Sequence, residues 1–236
     1  MKVTFIEHSA FLIESAVCTL LFDYYQGDLP AVDPKKPLYV FASHFHQDHF
    51  SKKIFRLFEE HPDVTYVLSS DINQHYSIPK DRKTVLIGPD ETWQNGIFLE
   101  TLRSNDEGVS FIVRFPDDPG IPPKEFRTIY HAGDLNDWHW DEEEDSMELV
   151  SAYYREMEKI RGRFFDAAFI PLDPRLEAHA PDGILGFTKY ADADRIYPMH
   201  MWGKFSVITD FLQLPESRCS AEKIAPVSFY EGERKR

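Results

Sequence analysis

Four residues of metal-binding type fall within six positions of one another, in His44-Phe45-His46-Gln47-Asp48-His49. His44 and His46 are two apart at the end of an extended segment, so they point to one side and can share a divalent metal. Asp48 and His49 follow where the chain must turn, so their side chains can face a second position nearby. A single histidine on an apolar strand reads as a core residue hydrogen-bonded to backbone. Four such groups buried without a metal would leave several polar atoms seeking partners, and the density points to coordination chemistry.

The elements around the motif read as strands and short helices. Val3–Ile6, Phe11–Ile13 and Val17–Asp23 precede a loop over 26–37 rich in Gly, Asp and Pro. Leu38–Ala42 is a buried strand that runs directly into Ser43-His44. A helix is expected from Ser51 as N-cap, with Ile54, Phe55 and Phe58 on one face and Pro62 after it. Val64–Leu68, Thr84–Ile87, Ile97–Leu102 and Val109–Phe115 follow as short strands, with 116–124 as a hairpin or surface loop. Arg127–His131 ends at Ala132-Gly133-Asp134. Residues 141–161 have helical spacing, and the acidic run Asp141–Asp145 suits a solvated helix start. Asp166–Pro171 and Asp194–Tyr197 are the last strands, the second leading into Pro198-Met199-His200. These elements fit one domain over 1–236.

The chain has 236 residues, with 26 Lys+Arg against 40 Asp+Glu and a net charge of −14, which argues against nucleic-acid or membrane partners that need basic fields. It leaves room for a small anionic substrate, because a bound cation reverses the local potential. Hydrophobic residues at 42%, with 19 Phe, 11 Tyr and 4 Trp, supply a sizeable core. No run approaches the ~18 apolar residues of a membrane span, so a cytoplasmic location is expected. Cys18 and Cys219 lie at opposite ends and read as free buried thiols.

The motif resembles that of the metallo-β-lactamase superfamily, His-x-His-x-Asp-His after a buried strand, at every defined position. Later landmarks follow in the family's order. Asp23 closes an early strand, Asp134 stands in a Gly-Asp pair, and His200 ends the C-terminal strand. The opening Glu7-His8-Ser9-Ala10-Phe11-Leu12-Ile13-Glu14 and the lack of large insertions look like the branch containing ascorbate-6-phosphate lactonase. The resemblance implies an α/β (α+β) fold, a four-layer αββα sandwich. It also implies one or two divalent transition metals, zinc first with manganese or iron as alternatives, held by His44, His46, Asp48, His49, Asp134 and His200. Asp134 would bridge two metals, Asp48 would act catalytically on the water, and Asp23 would orient a ligand histidine. The family usually supplies one more histidine before Gly-Asp, and Thr101–Gly108 has none. Asp106 is the candidate substitute, with Ser104 or a water as weaker ones, and an empty first site is the competing reading.

The implied activity is metal-dependent hydrolysis of a small ester, lactone or phosphodiester by a metal-activated water. A non-catalytic metal- or metabolite-binding module with the same fold is the alternative. Trp138, His179, Trp202 and Lys204 follow strand ends and are candidate substrate contacts, as is Arg175. His8 fits either a pocket wall or a core histidine, and His131 reads as structural. The aromatic-rich loops make a homo-oligomer credible.

Overall fold

The structure is a computed structural model and describes residues 1–120, 125–140 and 146–233. The expectations for Asp141–Asp145 and for Ile121–Lys124 lie outside the described residues. One sheet holds β1 (Lys2–Glu7), β2 (Ala10–Glu14), β3 (Thr19–Phe22), β4 (Leu38–Ala42), β5 (Val64–Ser69) and β6 (Thr84–Ile87), side by side in chain order. β1 to β3 pair antiparallel and β3 to β6 parallel. The second sheet begins as an antiparallel meander of β7 (Thr92–Asn95), β8 (Ile97–Arg103), β9 (Val109–Pro116) and β10 (Phe126–His131). After a short β11 (Phe164–Phe165) the chain adds β12 (Ala167–Pro171) parallel to β10. After β13 (Asp192–Ala193), which pairs with β11, it adds β14 (Ile196–Met199) parallel to β12.

Alternation along the strands decides the layers. Phe11, Phe22 and Phe41 face the second sheet, where Phe11 meets Phe169 at 4.7 Å and Phe41 meets Phe111 at 5.3 Å between ring centroids. The intervening residues Leu12, Leu21 and Val40 face outward, under Phe50 and the short helices α1 (Ile54–Leu57) and α2 (Ile72–His75). Helices α3 (Ser146–Lys159) and α4 (Asp182–Tyr190) cover the outer face of the second sheet, where Phe187 stacks on Tyr130 at 5.6 Å. Beyond them come α5 (Ser206–Gln213) and α6 (Val227–Glu233), and Tyr230 of α6 packs on Phe5 of β1 at 4.9 Å. The result is the expected αββα sandwich.

Two expectations are corrected, and one edge strand had none. Ser51 does not cap a helix, because α1 starts at Ile54 and the Ser51 hydroxyl instead accepts from the Lys53 amide at 3.3 Å. β7 was not foreseen: it is an edge strand whose residues are mostly exposed, so it carries little apolar alternation. Cys18 is buried, but Cys219 is exposed, so only one of the two thiols lies in the interior. Among the described residues no helix is long and apolar enough to cross a membrane.

The parallel strands of both sheets deliver their C-terminal ends to one edge. Asp23 follows β3, Ser43 and His44 follow β4, Asp134 follows β10, Asp173 follows β12 and His200 follows β14. Ligand crevices of open α/β sheets form at such strand ends.

Candidate metal centre

Two groups of ligand-type side chains meet at that edge. His44, His46, Asp106 and Asp134 form one, and His8, Asp48, His49 and His200 the other. Within each group, one ligand atom per residue lies within 4.8 Å of the rest. Asp134 stands between the groups. Its carboxylate is 3.5 Å from His44 Nε2, 3.1 Å from His49 Nε2 and 3.6 Å from His200 Nε2.

Close backbone approaches fix Asp134 and Asp106. Gly133 adopts φ 55°, and a Cβ there would lie 2.7 Å from the Ser43 Cβ. Gly108 adopts φ 69° where a Cβ would lie 2.0 Å from the Ser43 carbonyl oxygen, so the 104–108 turn can lie directly against the end of β4. That turn carries Asp106 to within 3.9 Å of His46 Nδ1. Its Asn105 side chain donates to the Asn136 carbonyl at 2.7 Å and accepts from the Asn136 amide at 3.1 Å, tying it to the loop after Asp134. The Ser104 hydroxyl accepts from the Asp106 amide at 3.2 Å and so helps hold the turn.

Buried partners aim the imidazoles. The Asp23 carboxylate accepts from the Ser43 amide and hydroxyl, both at 2.7 Å, and from His49 Nδ1 at 2.8 Å. The Ser43 hydroxyl proton is thereby committed to Asp23, so Ser43 Oγ accepts from His44 Nδ1 at 3.0 Å. On the other sheet Asp173 accepts from His200 Nδ1 at 2.9 Å. Each arrangement leaves an Nε2 atom directed at Asp134. The Nε2 atoms of His8, His44, His49 and His200 and Oδ1 of Asp134 are buried without hydrogen-bond partners. Five orphaned atoms facing a common space are what a cation would satisfy.

The electrostatics point the same way. Burial opposes charge on His49, yet Asp134 and Asp23 outweigh it and hold His49 well above the usual histidine range. Burial alone would raise the Asp134 carboxyl, but His49, His200 and His44 hold it well below the carboxylate range. His44 is pushed down to about 3 by burial and by His49, so its ring is neutral. The centre therefore draws positive charge to His49 and Asp134 while keeping a neutral imidazole ready as a donor.

The backbone is strained here. Of six non-glycine residues with positive φ among the described residues, four belong to this edge: His8 at 54°, Asp23 at 45°, His200 at 61° and Trp202 at 52°. His8 sits at the β1–β2 turn, and its carbonyl accepts from the His200 amide at 3.3 Å. Its Nε2 lies 3.4 Å from Asp48 Oδ2, which places it among the ligand-type residues and not in the hydrophobic core. His131 lies outside both groups. Its Nε2 donates to the Ser9 carbonyl at 3.0 Å and its Nδ1 accepts from the Gly133 amide at 3.2 Å, joining the His8 turn to the Asp134 turn.

A cavity of about 210 Å³ opens beside the centre, lined by Asp106, Asp134, Trp138, Trp140, Arg175 and His200. Trp138 is fixed by its Nε1, which donates to the Asp134 carbonyl at 2.8 Å. Arg175 lies over the Trp202 ring at 4.6 Å and binds Asp173 through Nε at 2.8 Å. Trp202 packs its ring on His8 at 4.5 Å and donates to Asp173 at 3.3 Å. Two expected substrate contacts lie elsewhere. Lys204 lines a different cavity with Leu172, Pro174 and Glu177, and His179 sits beside His139 and Asp182. Asp173 had no sequence expectation; its signal is an aspartate two residues past the β12 end.

The sequence profile of a beta-lactamase superfamily domain matches residues 2–148. A metal-dependent hydrolase of Desulforamulus reducens is 28% identical over 216 residues, covering 85% of this chain and 84% of that protein. Among solved structures, Igni18, a metallo hydrolase of Ignicoccus hospitalis, has a TM-score of 0.59 at 17% identity, over 95% of this chain and 93% of that one. A candidate metal-dependent hydrolase of Parabacteroides distasonis has a TM-score of 0.59 at 14% identity, over 95% and 91%. At these identities the structural likeness is one of fold, and it runs over nearly the whole chain.

Proposed function

The chain belongs to the beta-lactamase superfamily, and we propose that it is a metal-dependent hydrolase of small anionic esters, lactones or phosphodiesters. The observation that carries this reading is the convergence of three unpartnered imidazole Nε2 atoms, of His44, His49 and His200, on the buried Asp134 carboxylate. His44, His46 and Asp106 would hold one divalent cation, and His8, Asp48, His49 and His200 the other, with Asp134 shared. Such cations supply a Lewis acid and a hydrolytic water of lowered pKa at neutral pH. Zinc suits the imidazole-rich group, whereas the added Asp106 carboxylate widens the choice towards manganese or iron.

The chain's own groups set the geometry. Asp23, Ser43 and Asp173 fix the ring orientations, so the Nε2 atoms face the reaction space without rearrangement. Burial raises the Asp48 carboxyl, but His8 and His49 outweigh it and keep it well below the usual range, hence ionised. Beside the cation it would help to hold, this ionised carboxylate would be an acceptor able to orient a hydrolytic water. Trp138 and Trp140 give the cavity an aromatic wall.

Substrate size and charge follow from the cavity. At about 210 Å³ it is smaller than the ~300–1,000 Å³ of drug-sized sites. Arg175, braced by Asp173 and Trp202, provides the cationic wall for a carboxylate or phosphate.

The test is a panel of paired anionic and neutral esters, lactones and phosphodiesters, assayed with purified protein before and after chelation. Chelation should abolish turnover and added metal restore it. Arg175→Ala should raise KM for the anionic member about 10–100-fold, the worth of a charged hydrogen bond, and leave the neutral member near wild type. Full activity in metal-free protein would contradict the proposal. Metal binding with no turnover on any class would favour the binding module.

A further inference from the structure

A third group of ligand-type residues lies apart from the two around Asp134 and shares no residue with them. It joins His139, on the loop after β10, to His179, in the turn after β12, and to Asp182 in the first turn of α4. We propose that His139, His179 and Asp182 form a separate mononuclear site for a divalent transition metal, which clamps the Trp138–Trp140 loop to the Pro174–His179 turn.

The geometry is close to what such an ion needs. One ligand atom from each residue lies within 4.8 Å of the others. Zinc–nitrogen and zinc–oxygen bonds of about 2.0–2.2 Å would draw tetrahedral ligands to roughly 3.3–3.5 Å apart. Turning the two rings so that their lone pairs converge, and opening the His179–Asp182 pair, would cover that difference. The His139 and His179 rings already stack at 3.8 Å, and His179 Nδ1 lies 2.8 Å from Asp182 Oδ2. The three side chains are partly exposed, which gives an ion a way in.

Independent support comes from Asp137, two residues before His139. It is only 3% exposed, and its Oδ1 is buried without a hydrogen-bond partner. Tyr154 is one partner of this carboxylate, and Asp182, His139 and His179 lie within its electrostatic reach. A buried carboxylate with one oxygen left without a donor, beside a second carboxylate, is costly without a cation. An ion there would relieve both carboxylates and hold two neutral imidazoles together. The position matters for the neighbouring cavity, because the loop supplies Trp138 and Trp140 and the turn supplies Arg175. The third ion would thus fix the spacing of the cavity walls and take no part in the chemistry at Asp134.

The test is equilibrium dialysis of the full-length protein against zinc chloride, with bound metal counted by elemental analysis, for wild type, His139→Gln and Asp182→Asn. Each variant should bind one equivalent fewer than wild type, or bind its last equivalent at least tenfold more weakly. Near-UV circular dichroism identifies a misfolded variant, and the other then decides. Comparing each variant with wild type makes the result independent of how many ions the Asp134 centre takes. Variants that bind as much zinc as tightly as wild type would overturn the proposal.

Discussion

In an Asp134→Asn variant, hydrolysis falls by at least about a thousandfold and bound metal drops at both groups together. Among the described residues Asp134 is the one carboxylate that approaches His44, His49 and His200 at once, at 3.5, 3.1 and 3.6 Å. The amide preserves the shape and removes the charge. His49 then loses the neighbour that does most to hold its proton, and the two groups lose their common ligand. Losing several kcal/mol of charge stabilisation, at 1.36 kcal/mol per factor of ten, gives about three orders of magnitude or more. Because Asp134 is reached from both groups, elemental analysis should show a joint loss, whereas His46→Ala should deplete one group first. Activity within tenfold of wild type in Asp134→Asn would contradict the bridging role.

The second large effect is at Asp23, which is fully buried. Asp23→Ala strips the partner from the Ser43 amide, the Ser43 hydroxyl and His49 Nδ1 in a fully buried place. Removing one side of such a network costs about 3–5 kcal/mol. Zinc affinity should fall a further 10–100-fold, because His49 and, through Ser43, His44 lose the hydrogen bonds that orient them. Burial opposes ionisation of Asp23, but His49 and His131 outweigh it and hold the carboxyl below its usual range. Its stabilising contribution is therefore full above the unfolded carboxylate pKa and fades as pH falls through the folded one. Urea unfolding should show the wild type losing stability over that acid range and the variant losing less. A variant within about 1 kcal/mol of wild type, with unchanged zinc affinity, would contradict this account.

Much of this arrangement is legible in the sequence because strand ends are local. The buried run Leu38–Ala42 announces where His44 must emerge, and Arg127–His131 and Asp194–Tyr197 do the same for Asp134 and His200. What local patterns cannot give is which strand ends become neighbours. His8 stays ambiguous until β1–β2 pairing brings its turn beside β14. Asp173 is silent because its value lies entirely in facing His200 from the adjacent parallel strand. Asp106 is suggested only by the missing histidine of a resembling family, and its placement depends on Gly108 passing within contact of Ser43. Lys204 and His179 follow strand ends as Trp138 does, yet the turns after β14 and β12 carry them into other surroundings. Helix starts are the weakest part: α1 is too short for periodicity to define, and its preceding serine satisfies a local turn.

The most direct measurement is anomalous diffraction at the zinc absorption edge from a crystal grown with the metal. Two peaks are expected at the Asp134 centre, one within bonding distance of His44, His46 and Asp106, the other within bonding distance of His49 and His200, with the Asp134 carboxylate reaching both; a peak at His139, His179 and Asp182 would be separate from these. A fully loaded crystal with no anomalous peak within bonding distance of Asp134 would contradict the central claim.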